Sequence, residues 1–170
     1  HLRELAAAVK EGVIAAGGQP FEFNTIALCD GETQGHKGMC FVLPTRDLIA
    51  DSVELMAEGQ RMDGLVMLAS CDKIVPAMAI AAGRLNIPAV IVTGGPMLPG
   101  VFRGRQLAGA WEVREAAGKL SKGEITQDEY DEMEKSDCTG VGSCPMMGTA
   151  NTMSCLMEPL GLSLPGCGTT

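Results

Sequence analysis

Aromatic residues are scarce in this sequence: one Trp, one Tyr and four Phe make up 4% of 170 residues. A core without rings must be filled by small and flexible side chains, which suits helices packed closely on a sheet better than a β-sandwich. Basic residues are also few, 13 Lys and Arg against 21 Asp and Glu for a net charge of -8. Nothing resembles a basic stripe, and nucleic acid is excluded as a partner. No apolar run approaches the roughly 20 residues that a membrane span requires. His1 leads straight into an amphipathic pattern rather than a signal peptide, so the expected location is the cytoplasm. No two cysteines have the two-residue gap of a zinc knuckle, and no internal repeat or low-complexity segment is present.

What is abundant is aliphatic and sulfur-bearing: 46% hydrophobic residues, 11 Met and seven Cys. The length suffices for one domain with a full core. Seven is an odd number of cysteines in a chain too large to need disulfide staples. Metal binding or catalysis is therefore one use for them, and packing as small hydrophobes is the other. Cys40 and Cys155, inside apolar or helical patterns, belong with the packing residues. The uncapped start and the close Pro165-Gly-Cys-Gly-Thr-Thr170 read as a piece of a longer protein.

In chain order, Leu2, Leu5, Val9 and Val13 recur at helical spacing until Gly17-Gly18. Phe23–Leu28 is expected to be a first strand ending in Cys29-Asp30. The loop Asp30–Met39 holds three glycines among polar side chains. Its spacing matches neither phosphate-loop fingerprint, and it reads as a site loop. Pro44–Met56 forms a helix expected to bury Leu48, Ile49, Val53 and Met56. Leu65 onward is a short apolar run that stops at Cys71-Asp72-Lys73, which marks a buried parallel strand. Pro76–Leu85 is an Ala-rich helix and Pro88–Thr93 a third strand. Strand, helix, strand, helix, strand predicts right-handed parallel crossovers. The fold class is thus α/β, a parallel sheet flanked by helices in three layers. Gly104–Lys135 turns charged and helical, with Ile125–Lys135 as a solvated face. Asp137–Met153 is a glycine-rich turn with two cysteines, followed by a helix.

Two expected strands end in Cys-Asp, and ligands in open α/β sheets sit outside the carboxyl ends of strands. Soft thiols and hard carboxylates would then share one site. Cys71 and Cys144 are the leading thiolate ligands, with Cys29 and Cys138 behind them. A thiol near a helix N-terminus is expected to have a lowered pKa. Thiolates select iron–sulfur, zinc or copper(I). Asp30, Asp72 and Glu32 suit magnesium, calcium or manganese. The plainer reading of Asp72-Lys73 is an ion pair at a strand-end turn, and that of His36 is a structural or solvent-facing ring. On spacing alone, the site binds metal of unspecified chemistry.

Five stretches carry a resemblance: Phe23-Asn-Thr-Ile-Ala; Cys29-Asp-Gly31 with Gly35-His-Lys-Gly-Met39; Leu43-Pro-Thr-Arg-Asp-Leu-Ile-Ala-Asp-Ser-Val-Glu54; Cys71-Asp-Lys-Ile-Val-Pro76; and Gly142-Ser-Cys144 with Thr149-Ala-Asn-Thr-Met153. Nearly from end to end the chain resembles the dihydroxy-acid dehydratase and phosphogluconate dehydratase family. The resemblance implies an iron–sulfur enzyme that dehydrates a 2,3-dihydroxy carboxylic acid to a 2-keto acid. Cys71 and Cys144 would hold a 2Fe-2S or 4Fe-4S cluster. Asp30, Asp72 and Lys73, carbamylated in some relatives, would hold magnesium, with Asp72 and Lys73 in the catalytic set.

By the same resemblance, two-iron members have a third cluster cysteine just upstream of the position of His1, and Cys29 is the other candidate for that role. Residues 1–170 would be the cluster- and magnesium-binding amino-terminal domain. A carboxy-terminal domain would supply a further carboxylate and the serine base, so these residues alone should not turn over. The full protein is expected to be a homodimer. Ala77 stands where the family commonly has Gly, and Pro145 where small residues are usual. Branched-chain amino-acid synthesis is the first expectation. A sugar-acid dehydratase is the alternative within the family, and a non-catalytic metal-binding or interaction module the alternative outside it.

Overall fold

The computed structural model describes residues 1–107 and 109–169. Ala108, within the expected charged helical region, and Thr170, at the end of the glycine-rich close, lie outside the described residues. Helix α1 (Leu2–Ala15) has no fully buried residue. After an irregular stretch come a short helix α2 (Asp30–Thr33), a 3-10 turn (Lys37–Phe41) and the long helix α3 (Val42–Gly59). Strand β1 (Leu65–Ala69), helix α4 (Ile74–Leu85) and strand β2 (Ala89–Thr93) follow as one crossover unit. A hairpin β3 (Val101–Phe102) and β4 (Arg105–Gln106) precedes helices α5 (Ala110–Ser121), α6 (Gln127–Asp137) and α7 (Thr149–Leu156).

The fold is mixed α/β and mostly helical. Its parallel sheet has two strands, β1 and β2, in register from Leu65 opposite Ala89 to Ala69 opposite Thr93. The expected strand Phe23–Leu28 does not form. A strand needs a ladder partner, and this segment instead faces β1 across an open cavity of about 1320 Å³ lined by Phe23, Thr25, Ala27, Val66 and Leu68. Among the described residues, β2 is the only strand paired with β1. The far side of β2 is covered by the C-terminal loop, where the Ile91 N–H donates to the Leu162 carbonyl at 2.7 Å and the Thr93 hydroxyl to the Cys167 carbonyl at 2.6 Å.

The core gathers Ile49, Ala50, Val53 and Ala57 of α3, Met67 and Ala69 of β1, and Val75, Ala77, Met78 and Ala81 of α4. Of the four residues expected to be buried in α3, Ile49 and Val53 are, whereas Leu48 is 56% exposed and Met56 also faces outward. The true inner stripe runs through Val42, Thr45, Ala50 and Ala57. Ala50 and Ala57 of α3 and Ala77 and Ala81 of α4 are buried in the same core, and such small side chains let the two helices approach closely, which outweighs the larger ones. Pro76 falls in the first turn of α4, where a missing N–H costs nothing.

The acidic stretch forms α6, opened by a capping box between Thr126 and Glu129. Its outer face is largely solvated, as expected, although Glu129 and Glu132 accept hydrogen bonds from Arg103 at 2.9 and 3.0 Å and so tie the hairpin to the helix. No described helix is long and apolar enough to cross a membrane. The whole exposes 10138 Å², against about 7,900 Å² for a folded monomer of this size.

Candidate metal centre

The strand-to-helix turn after β1 carries Cys71, Asp72 and Lys73, with Lys73 at the N-cap of α4. Cys71 has a φ of 82°, a region that a side chain with a Cβ rarely occupies. Such strain concentrates where a side chain must be aimed. Here it turns the thiol toward the second Cys-Asp pair. Cys29 is the N-cap of α2, and Asp30 opens that helix. The ligand atoms of Cys29, Asp30 and Cys71 all lie within 4.8 Å of one another. Among the described residues, no other group of three His, Cys, Asp or Glu side chains converges this closely.

Asp72 forms an ion pair with Lys73, both side chains largely buried. The ion-pair reading of that dipeptide is therefore met in this structure. Neither belongs to the tight group, and Glu32 is exposed. The two nitrogens of His36 are used locally: Nε2 donates to the Glu32 carbonyl at 3.1 Å, and Nδ1 accepts from the Gly38 N–H at 3.0 Å. Its role is to close the loop, as the structural reading of His36 expected.

Cys144 comes from a loop held by three devices. Ser143 bridges to Pro96, with N–H and carbonyl bonded to Gly95 and Met97 at 2.9 and 2.8 Å. Gly142 has a φ of 116°, and a Cβ there would stand 2.5 Å from the Met97 nitrogen. Buried Asn151 of α7 donates to the carbonyls of Cys144 and Met146 at 2.8 and 2.7 Å, and accepts from the Ser143 hydroxyl at 2.6 Å. Sequence reasoning found the Thr-Ala-Asn-Thr-Met motif without assigning Asn151 this task. The usable signal was a polar amide at a helical position that packs inward.

The lowered pKa expected of the thiols Cys138 and Cys144 before the last helix is not found, and Cys71 at the strand end is raised as well. Burial first, and then the neighbouring Cys29 and Asp30, push Cys71 up to about 12, opposed only by the Asp72 N–H. Burial also raises Cys144, reinforced by the charges of Asp30, Cys29 and Asp72. Helix α7 begins five residues after Cys144, too far for its dipole to compensate. Cys138 is raised by burial and by Asp137, with Cys144 and Cys29 adding to it, which places it on the rim of the same region. Cys40 is exposed on the 3-10 turn rather than packed, and Cys155 is half-buried on α7.

The donor chemistry fits a cationic group. Buried thiols crowded by carboxylates lack compensation for their ionised forms, and a metal supplies it. Sulfur and oxygen donors on one site suit a soft and a hard metal side by side.

Residues 1–170 match the family "Dihydroxy-acid/6-phosphogluconate dehydratase N-terminal". The chain is 57% identical over 169 residues to a dihydroxy-acid dehydratase of Methanothermobacter thermautotrophicus, covering 99% of this chain and 31% of that protein. It is 54% identical over 170 residues to the dihydroxy-acid dehydratase of Methanobrevibacter smithii, covering 100% of this chain and again 31% of the relative. The chain thus spans about a third of the length of these relatives. With its Cys-Asp pairs converging at the end of β1, it belongs to the dihydroxy-acid/6-phosphogluconate dehydratase N-terminal family.

Proposed function

We propose that residues 1–170 are the cluster- and magnesium-binding amino-terminal α/β domain of a longer, two-domain cytoplasmic iron–sulfur dehydratase. In the whole protein a fuller, three-layer sheet would form, and a carboxy-terminal domain and a second subunit would cover the surface left open here. The reaction is removal of water from a 2,3-dihydroxy carboxylic acid to give a 2-keto acid, the branched acids of isoleucine and valine synthesis being the substrates. The observation that carries this reading is the convergence of Cys29, Asp30 and Cys71 within 4.8 Å, on a chain more than half identical to proteins named for that activity.

In this reading Cys71 and Cys144 hold the iron–sulfur cluster, and Asp30, Asp72 and Lys73 hold magnesium. When bound, the two groups supply Lewis acidity at the departing hydroxyl and at the carboxylate end of the substrate. The protein's own part is positioning. The strained turn fixes the Cys71 sulfur, Asn151 fixes the Cys144 loop, and the Asp72–Lys73 ion pair follows Cys71 at the start of α4. A lysine ammonium beside a dication is repulsive, so carbamylation of Lys73, as the family resemblance implies, would turn a repelling group into an oxygen ligand.

The test is an assay of the anaerobically purified full-length protein on a branched 2,3-dihydroxy acid and on aldonic acids, with iron and sulfide measured in parallel. Keto-acid formation from the branched acid is expected, and Asp72→Asn should abolish it while the cluster absorption stays. Preference for aldonic acids would move the assignment to the sugar-acid branch. A protein that cannot be loaded with iron would leave a non-catalytic module.

A further inference from the structure

We infer that Pro96, at the centre of the loop Gly94–Met97, is a positioning residue: through main-chain hydrogen bonds this loop holds the turn that carries Cys71 and the turn that carries Cys144 at a fixed separation. The inference rests on the iron–sulfur reading above. It adds the residues that set the spacing of the site.

The loop leaves the carboxyl end of β2 and is bonded on both sides. On one side the Gly94 N–H donates to the Ala69 carbonyl at 3.1 Å, two residues before Cys71. On the other, the Gly95 carbonyl accepts from the Ser143 N–H at 2.9 Å and the Met97 N–H donates to the Ser143 carbonyl at 2.8 Å, one residue before Cys144. Ser143 thus pairs with Pro96 as a single parallel rung. Backbone spacing across such rungs is set by hydrogen-bond geometry, and side-chain rotamers do not alter it.

The loop is stiff where the rung forms. Gly95 has a φ of 70°, a region open to glycine. The Pro96 ring locks its own φ, and both bonds to Ser143 come from the residues on either side of it. Across the rung, a Cβ at Gly142 would stand 2.5 Å from the Met97 nitrogen and 2.7 Å from the Gly95 oxygen. The two backbones are therefore in direct contact. Gly95, Pro96 and Gly142 carry no donor side chain; what they supply is spacing. Two thiolates grip one cluster only at the separation its metal–sulfur bonds set, and a frame built beforehand spares the cost of closing on it.

The test compares the anaerobically purified full-length protein as wild type, Pro96→Gly, Pro96→Ala and Pro165→Gly, the last an exposed proline outside the loop. Iron and sulfide are measured, with the EPR line widths of the reduced protein and the half-life of the cluster under a ferrous chelator. Pro96→Gly keeps both bonds to Ser143 and frees the backbone between them. It is expected to shorten that half-life about tenfold or more and to broaden the EPR lines. Pro96→Ala should recover most of the loss, and Pro165→Gly should match wild type. Hydrogen exchange of the wild type, with and without its iron, gives a readout that no variant's folding can confuse. The amides of Met97 and Ser143 should stay protected in the iron-stripped protein, because the frame precedes its occupant. Loss of that protection on iron removal, or a Pro96→Gly half-life and spectrum equal to those of Pro165→Gly, would overturn the inference while leaving the dehydratase reading intact. A wild-type protein that takes up neither iron nor sulfide would overturn both.

Discussion

The Cys71 sulfur lies 3.9 Å from Oδ1 of Asp30, so a thiol and a carboxylate from distant turns share one small volume. Both are anionic when ionised, and among the described residues no salt bridge to Asp30 offsets that charge. The site is therefore built to be completed by something positively charged.

The sign of the resulting pH dependence follows directly. The Cys71 thiol, raised by burial and then by its negative neighbours to about 12, keeps its proton in the native state over a range where the unfolded chain has lost it. The native state then binds more protons, and stability falls as pH rises from the ordinary thiol range toward 12. The urea midpoint of the metal-free protein should drop between pH 8 and pH 10, and by less in Cys71→Ser. An equal drop in both proteins would show that Cys71 does not control it.

Asn151 makes three hydrogen bonds that fix the loop carrying Cys144. At about 1 kcal/mol net for each bond, Asn151→Ala should cost about 2–3 kcal/mol in urea unfolding. Asn151→Asp keeps the acceptor and loses both donors, and should recover only part of that. Iron uptake by the full-length protein should fall in both variants.

Cys71 sits at a φ of 82°, where glycine is unstrained and alanine is not. Cys71→Gly should therefore leave the metal-free protein about 1 kcal/mol more stable than Cys71→Ala. Chemical denaturation of the two variants measures the difference. If alanine proved equal to glycine, the turn would not hold this backbone in solution.

Residues 1–170 expose 10138 Å², against about 7,900 Å² expected for their size. Phe41, Leu48 and Leu55, seven residues apart along α3 and the turn before it, are all exposed. Expressed alone, these residues should self-associate, and Leu48→Lys with Leu55→Lys should shift them toward monomer in sedimentation velocity. A clean monomer of the unmodified segment would count against this.

What was legible in the sequence was local. Helical periodicity placed α1, α3, α4 and α6, and the apolar run before Cys71 placed β1 and its parallel partner. Phe23–Leu28 was misjudged because strand formation depends on a ladder partner, which a pattern of Phe, Ile and Leu does not supply. Leu48 and Met56 were misjudged because helix approach through Ala50 and Ala57 decides which stripe turns inward. Of the converging group, Cys29, Asp30 and Cys71 were legible from their positions at the ends of apolar stretches, whereas Cys144, expected beside Cys71 as a leading ligand, is not in that group. The raised thiols and the clamp by Asn151 were not, since burial and long-range convergence leave no mark on spacing.

The turn holding Cys71 runs without interruption into α4, whose Ile74, Val75, Ala77, Met78 and Ala81 are core residues. Occupancy of the centre is thereby linked to the buried core of the molecule. A ligand that steadies Cys71 steadies the first turn of α4, and through it the slowest-exchanging amides. Hydrogen exchange along Val75–Leu85 would thus serve as a gauge of loading, readable without light absorption or turnover.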